Sequence, residues 1–144
     1  MEYVIPSHLK LNLTLRVMGK RSDGLHDLYS LFLLLRGAES LVIHAPAPGG
    51  KDLVRVYNYP VNGQNIVLKV LCLLRSLGLD PGPLEIEILK SVPPETGLGA
   101  GSGNGAALIG WARNALGIDF PRSVERKIGS DIPFFCSGYE MGRV

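Results

Sequence analysis

Cysteine is scarce in this sequence, and nothing in it signals a disulfide framework. The 144 residues contain two cysteines, Cys72 and Cys136, which lie far apart, form no CxxC pair and sit in apolar surroundings. A chain of this length buries the core of a single domain without disulfides or structural metals. We therefore expect two buried thiols in a reducing compartment, which points to the cytoplasm.

Neither a charge of one sign nor a long apolar run is present. Fifteen Lys and Arg against thirteen Asp and Glu leave a formal net charge of +2, and the basic residues are scattered. A net charge this small, with scattered basic residues, does not indicate a nucleic-acid-binding surface. The N-terminus lacks a secretory signal, and the longest uncharged stretch, residues 96–112, opens with alternating glycines instead of the roughly 20 apolar residues of a membrane span. The sequence predicts a soluble protein with no nucleic-acid or membrane partner.

Alternation of apolar and polar residues predicts strands in the N-terminal half. A period of two runs from Leu9 to Val17, and an apolar run over 28–35 follows a charged turn. Two further strands are predicted over 40–44 and 53–57, on either side of a turn rich in proline and glycine. An antiparallel meander is the simplest arrangement of these strands.

Helices are predicted in the second half of the chain. Asn65 is a suitable N-cap for a largely buried helix that stops at Gly78. Residues 84–89 alternate as a strand, and residues 105–116 form a second helix, while Pro121 limits any later helix to about two turns. Strands followed by helix, strand and helix predict an α+β fold, with a mostly antiparallel sheet covered by helices on one face.

The most informative segment is a glycine-rich turn between the strand at 84–89 and the second helix. Five glycines alternate within the nine residues 97–105. Glycine lets the backbone adopt positive φ and approach a ligand, and the following helix adds unpaired N–H donors and partial positive charge. These features predict a cradle for a triphosphate. Ser102 and Asn104 offer a hydroxyl and an amide for phosphate oxygens or a magnesium ion.

Other interpretations of this turn are weaker. The motif GxxxxGK[ST] does not match because no lysine follows the turn, and GxGxxG does not match in any register. A flexible glycine linker and a tight crossover for close helix packing remain as structural alternatives. The setting between a strand and a helix favours phosphate binding.

With this turn, the chain resembles the GHMP kinases, whose signature is P-x-x-x-G-L-G-x-G-S-x-x-A. Residues 93–105 match it, except that Gly105 stands at the position of the alanine, and Ala106 follows. Three further segments look like one branch of the family: KLNL at 10–13, RSDGLH at 21–26 and GSDIPFF at 129–135. The resemblance implies a ribosomal protein S5 domain 2-like fold, with residues 1–144 as the N-terminal, ATP-binding domain and the C-terminal GHMP domain absent.

The resemblance also implies a reaction. It is transfer of the γ-phosphate of ATP, accompanied by Mg²⁺, to a hydroxyl of a cytidine diphosphate-linked methylerythritol in non-mevalonate isoprenoid biosynthesis. Asp131 matches the family's acid, and Lys10 would keep that carboxylate ionised and stabilise developing negative charge. No metal ligands are assigned. The implied ATP-binding residues are Pro93, Pro94, Glu95, Thr96, Gly97, Leu98, Gly99, Ala100, Gly101, Ser102, Gly103 and Asn104.

Three residues would contact the substrate. Asn12 shares a strand face with Lys10, and His26 matches the histidine that reads the cytosine edge in this branch. Leu25 stands where the branch has a tyrosine that stacks on the cytosine ring, so roughly 1–3 kcal/mol of stacking energy would be missing. Taken singly, each of these residues also fits an ordinary role in a turn or in solvent.

Kinases of this family have a second half of similar size, which closes the active-site cleft. We therefore interpret the chain as a fragment, and an exposed apolar face would favour a homodimer or association with the C-terminal half. Two other functions stay open. One is a nucleotide-binding or subunit-interaction module without turnover, and the other is a GHMP kinase for another small alcohol, such as mevalonate or homoserine.

Overall fold

A long β-hairpin forms one side of the sheet. The computed structural model describes residues 1–20, 22, 26–60, 63–119, 121–138 and 141–143. Strand β1 (Glu2–Lys20) pairs antiparallel with β2 (His26–His44) along its whole length. The register shifts at three points, and such bulges bend and twist a long ribbon. The apolar runs at 28–35 and 40–44, predicted as separate strands, are parts of β2.

The other strands are arranged around β2. Strand β4 (Glu85–Leu89) is antiparallel to the C-terminal part of β2, and β5 (Met141–Arg143) pairs antiparallel with its middle. Strand β3 (Leu53–Tyr57) lies at the edge, parallel to β4, in the order β1-β2-β4-β3. The predicted meander is wrong for β3. A helix carries the chain from β3 back to the same end of the sheet, and such a crossover joins parallel strands.

Helix α1 (Ile66–Ser76) is this crossover, and local signals in the sequence set its ends. The Asn65 Oδ1 accepts a hydrogen bond from the Val67 N–H at 2.9 Å, and Gly78 has a φ of 75° just past the helix. Its buried residues recur at helical spacing and are Val67, Val70, Leu71 and Leu74. The predicted helix is confirmed.

Helix α2 (Ala100–Leu116) begins earlier than the predicted start at residue 105. Gly99 precedes it with a φ of 65°, so three of the five alternating glycines are helical. Close packing explains glycine in this helix, because a Cβ on Gly103 would collide with the backbone carbonyl of His8 in β1. Tertiary packing here outweighs the weak helix propensity of glycine.

Two short helices follow. Helix α3 (Arg122–Ile128) lies between Pro121 and Gly129, as the sequence predicts, and α4 (Ile132–Cys136) comes directly after Asp131.

The main core lies between the sheet and the helices. Alternate strand residues are fully buried, namely Leu41 and Ile43 of β2 and Ile86 and Ile88 of β4. The α+β class and the mostly antiparallel sheet are confirmed. None of the helices in the described ranges has the length and apolar character that crossing a membrane requires.

The two cysteines differ in exposure. Cys72 is exposed on α1, so the prediction of a buried thiol is wrong there, whereas Cys136 is partly buried. Burial, reinforced by the nearby charge of Glu125, raises the pKa of the Cys136 thiol to about 12. The two thiols should therefore react at very different rates, because the thiolate is the nucleophile.

Iodoacetamide at pH 8 is expected to alkylate Cys72 at least ~100-fold faster than Cys136, because little Cys136 is present as thiolate. Peptide mass spectrometry over a time course measures both rates. The Cys72→Ser variant should resist labelling when folded and react in urea. Comparable labelling of both cysteines in the folded chain would contradict this assignment.

Candidate functional site

A cavity of about 340 Å³ opens beside the glycine-rich turn, between the end of β4 and the start of α2. Nine of the twelve predicted ATP-binding residues line it, all except Leu98, Gly103 and Asn104. Ile66 and Lys90 complete the lining. The structure therefore gathers most of the predicted segment around one space.

The backbone of the turn winds tightly around this cavity. Positive φ angles occur at Glu95 (64°), Gly97 (78°) and Gly99 (65°). The first helical hydrogen bond runs from the Gly103 N–H to the Gly99 carbonyl at 2.9 Å. In a helix the N–H groups of the first turn have no intrahelical acceptor, and the first turn of α2 contains no acidic residue. This end of α2 is suited to an anion.

Lys10 lies against the turn. Its backbone N–H donates to the Leu98 carbonyl at 2.8 Å, and a Cβ on Gly99 would lie 2.9 Å from the Lys10 Cγ. The lysine is buried, and its Nζ donates to the Asn12 Oδ1 at 2.9 Å and stands 4.5 Å from the centre of the Phe32 ring. An amide and an aromatic face thus hold the ammonium group.

Asp131 stands in a segment that borders the turn from another side. A Cβ on Gly129, two residues earlier, would lie 3.9 Å from the Ser102 Oγ, and the ring of Phe135 would lie 3.2 Å from one on Gly99. The Asp131 side chain makes no capping bond to α4. Among the described residues no ion pair joins Lys10 to Asp131, and the ammonium group donates to Asn12. Lys10 contacts the turn directly, whereas Asp131 lies in the neighbouring segment, between two residues that approach the turn.

Gly103 and Asn104 contact the sheet instead of the cavity. The Asn104 Nδ2 donates to the Ser7 Oγ at 2.8 Å and to the Glu39 Oε1 at 3.1 Å. Its Oδ1 accepts from the Lys90 Nζ at 3.0 Å. Both ends of the Asn104 side-chain amide are thus engaged within the protein, and its contact with phosphate stays a prediction. At Gly103 the structure shows close packing of α2 against β1, which is the structural alternative to phosphate binding given above.

A buried ion pair, which was not among the predictions from the sequence, lies behind the turn. The Lys90 Nζ lies 2.9 Å from the Glu39 Oε1, and both side chains are buried. Burial by itself would raise the pKa of Glu39. Hydrogen bonds from Lys90, the Ser91 N–H and Asn104 outweigh it and hold that pKa below its usual value. Glu39 and Lys90 are 51 residues apart, and no sequence pattern links them.

The predicted substrate residues are only partly described. Asn12 is exposed on β1 and accepts the hydrogen bond from Lys10. His26 begins β2, where it pairs with Lys20. The His26 side chain and the whole of Leu25 lie outside the described residues, so their assignments stay predictions.

A larger groove of about 550 Å³ runs between β1 and α2, and Tyr3, Ile5, His8, Trp111 and Phe135 help to line it. It is mainly apolar. Burial, with a contribution from the charge of Arg36, lowers the pKa of His8 and favours its neutral form. The smaller cavity, which lies at a helix N-terminus, suits a polyanion better. Within the described part of the chain, no cluster of three or more His, Cys, Asp or Glu could hold a metal ion.

Comparison with known proteins identifies the family. The family model for the GHMP kinases N terminal domain matches residues 65–139, just over half of the chain. This chain belongs to the GHMP kinase family. The matched range contains the glycine-rich turn and Asp131. Lys10 lies outside it, and the tertiary structure brings Lys10 to the turn.

Similar GHMP kinases carry related names. The 4-diphosphocytidyl-2-C-methyl-D-erythritol kinase of Idiomarina loihiensis is 34% identical over 145 residues, covering 94% of this chain and 50% of that protein. The chloroplastic kinase of the same name from Arabidopsis thaliana is 38% identical over 138 residues, covering 91% of this chain and 36% of that protein.

A solved structure shows the same fold. The crystal structure of a 4-(cytidine 5'-diphospho)-2C-methyl-D-erythritol kinase superposes with a TM-score of 0.76 at 28% identity, and the match covers 100% of this chain and 51% of that chain. The fold is therefore that of a GHMP kinase N-terminal domain. The chain spans half or less of the length of the two curated relatives.

Proposed function

We propose that this chain is the ATP-binding half of a kinase that phosphorylates a hydroxyl of 4-diphosphocytidyl-2-C-methyl-D-erythritol. This reaction is a step of non-mevalonate isoprenoid biosynthesis. The observation that carries the proposal is the glycine-lined cavity at the start of α2, with Lys10 packed against its turn. The names of the similar kinases supply the substrate.

The cavity would bind the phosphates of ATP through backbone groups. The first N–H groups of α2 and the positive end of its dipole attract anionic oxygens. Lys90 also lines the cavity, with its ammonium group paired to Glu39. Mg²⁺ would neutralise phosphate charge when bound. Ser102 and Glu95, which line the cavity, fit such an ion, since magnesium takes few protein ligands beside phosphate oxygens.

Phosphoryl transfer would use the two residues that border the turn. The substrate oxygen forms a bond to the γ-phosphorus while the bond from that phosphorus to ADP breaks, and Asp131 takes the hydroxyl proton. Lys10 stabilises the negative charge that develops in this step. Asn12 fixes the position of the Lys10 ammonium group through the 2.9 Å hydrogen bond.

We extend the proposal to substrate binding, partners and location. Asn12, Leu25 and His26 would contact the cytidine-linked substrate. Large apolar side chains, including Leu11 and Leu13 next to Asn12, are exposed on β1 and support association as a homodimer or with a C-terminal half. Two free cysteines fit a reducing compartment, and the cytoplasm is our proposal.

Transfer of radiolabelled phosphate from ATP tests the function. We expect the chain to bind ATP, and we expect label in 4-diphosphocytidyl-2-C-methyl-D-erythritol with the 144-residue chain or a longer product of the same reading frame. Mevalonate and homoserine serve as control acceptors.

Each other outcome of that assay supports a different function. ATP binding without transfer to any acceptor would indicate a nucleotide-binding module without turnover. Transfer to mevalonate or homoserine alone would indicate another GHMP kinase. Absence of ATP binding would overturn the proposal.

A further inference from the structure

One buried carboxylate holds both ends of the glycine-rich turn. The Glu39 Oε2 accepts hydrogen bonds from the Ser91 N–H at 2.9 Å and the Val92 N–H at 3.4 Å, directly before the turn. The Glu39 Oε1 accepts from the Asn104 Nδ2 at 3.1 Å, directly after it. The segment that lines the cavity, residues 93–102, thus runs between two anchors on the same side chain.

Lys90 contacts Glu39 and Asn104 and also borders the cavity. Its Nζ donates to the Glu39 Oε1 at 2.9 Å and to the Asn104 Oδ1 at 3.0 Å, and the residue also lines the cavity. Asn104 reaches on to Ser7 in β1. The network therefore connects β1, β2, the end of β4 and the first turns of α2.

Stability alone is a weak reason for such a network. Removing a lysine and a glutamate from water is costly, and well-packed apolar residues of similar volume often give a fold that is at least as stable. Apolar replacements would, however, leave the N–H groups of Ser91 and Val92 without their acceptor. The carboxylate provides what an apolar core cannot, a defined path for the backbone on both sides of the turn.

We propose that Glu39 is a positioning residue, which holds the glycine-rich turn in the shape that receives the phosphates. This role rests on the proposed function, because the ligand that the turn would receive is the nucleotide of that same cavity. Glu39 itself does not line the cavity and acts through Ser91, Val92 and Asn104. Its loss should loosen the turn before it affects the rest of the sheet.

Glu39→Gln tests this role, with Asp52→Asn as the matched control. Asp52 is also a carboxylate that accepts from a cation, Arg75, and from a backbone N–H, that of Leu84 at 2.9 Å, but it lies beside β3. Hydrogen exchange of the ligand-free chain, followed by peptide mass spectrometry, compares the variants. For Glu39→Gln we expect exchange at least tenfold faster in peptides covering 91–104 and no change over α1. Asp52→Asn should leave the turn at the wild-type rate.

A second measurement addresses the nucleotide. The dissociation constant for ATP should rise at least tenfold in Glu39→Gln and less than twofold in Asp52→Asn. If the wild type bound no ATP, the assigned function would fail, and hydrogen exchange would still decide the positioning role. Wild-type exchange at the turn in Glu39→Gln, or the same ATP affinity as the wild type, would overturn the inference.

If Glu39→Gln does not fold, Asn104→Ala tests the positioning role instead, because this variant keeps the Lys90–Glu39 ion pair. Of the hydrogen bonds that Glu39 accepts, it removes only the one after the turn, so exchange should rise at least threefold in peptides covering 100–104 and less in those covering 91–92. Wild-type exchange at both ends would again overturn the role of the network.

Discussion

Gly103→Ala is expected to lower the free energy of unfolding by about 3 kcal/mol, the upper end of the usual range for overpacked sites. A Cβ at this position would press into the carbonyl oxygen of His8 and lie 3.1 Å from its carbonyl carbon. A backbone group cannot move aside by changing rotamer, so α2 must shift away from β1. That shift would also strain the hydrogen bond from Asn104 to Ser7.

Gly110→Ala is the control, because the same substitution in the same helix meets nothing within 4 Å. It should stabilise the chain by roughly 0.5–1 kcal/mol, the usual advantage of alanine over glycine within a helix. Thermal unfolding should show Tm lowered by roughly 6–12 °C in Gly103→Ala and raised by about 1–4 °C in Gly110→Ala. Equal Tm values for the two variants would show that α2 does not depend on this close approach.

Asp131→Asn is expected to reduce the rate of phosphoryl transfer by roughly 10²- to 10⁴-fold, the usual contribution of a general base. The substitution keeps the shape of the side chain and removes the group that takes the substrate proton. Asp131 does not line the cavity beside the turn, so the dissociation constant for ATP should stay within about twofold of wild type. Single-turnover transfer and equilibrium binding measure the two effects separately.

Asp119→Asn is the matched control, since its carboxylate is 94% exposed and lies between α2 and α3. This variant should transfer phosphate at the wild-type rate. If Asp131→Asn kept more than about a tenth of the wild-type rate, its assignment as the base would be wrong. A loss of ATP affinity in parallel with the loss of rate would instead indicate a structural role for Asp131.

Several features of the fold were predicted from the sequence because their causes are local. The cap at Asn65, the stop at Gly78 and the limits of α3 at Pro121 and Gly129 each depend on residues within one or two turns of the helix. The glycine-rich turn was recognised for the same reason. Nine of its twelve predicted residues do line one cavity.

The predictions that were wrong concern contacts between distant segments. The pairing of β3 with β4 depends on where α1 packs, and the start of α2 at Ala100 depends on how closely that helix approaches β1. The hydrogen bonds of Asn104 likewise join distant segments. Its partners Ser7 and Glu39 lie 97 and 65 residues away in the sequence.

The sequence by itself determined the kind of chemistry to look for, because alternating glycines before a helix and the collinear family motifs can be recognised along a single stretch of chain. The tertiary structure alone decided how these parts meet. It placed Lys10 against Gly99, directed the Lys10 ammonium group to Asn12, and tied both ends of the turn to Glu39. Burial explains the difference, since hydrogen-bond partners inside a core are chosen by packing between segments that no local pattern connects.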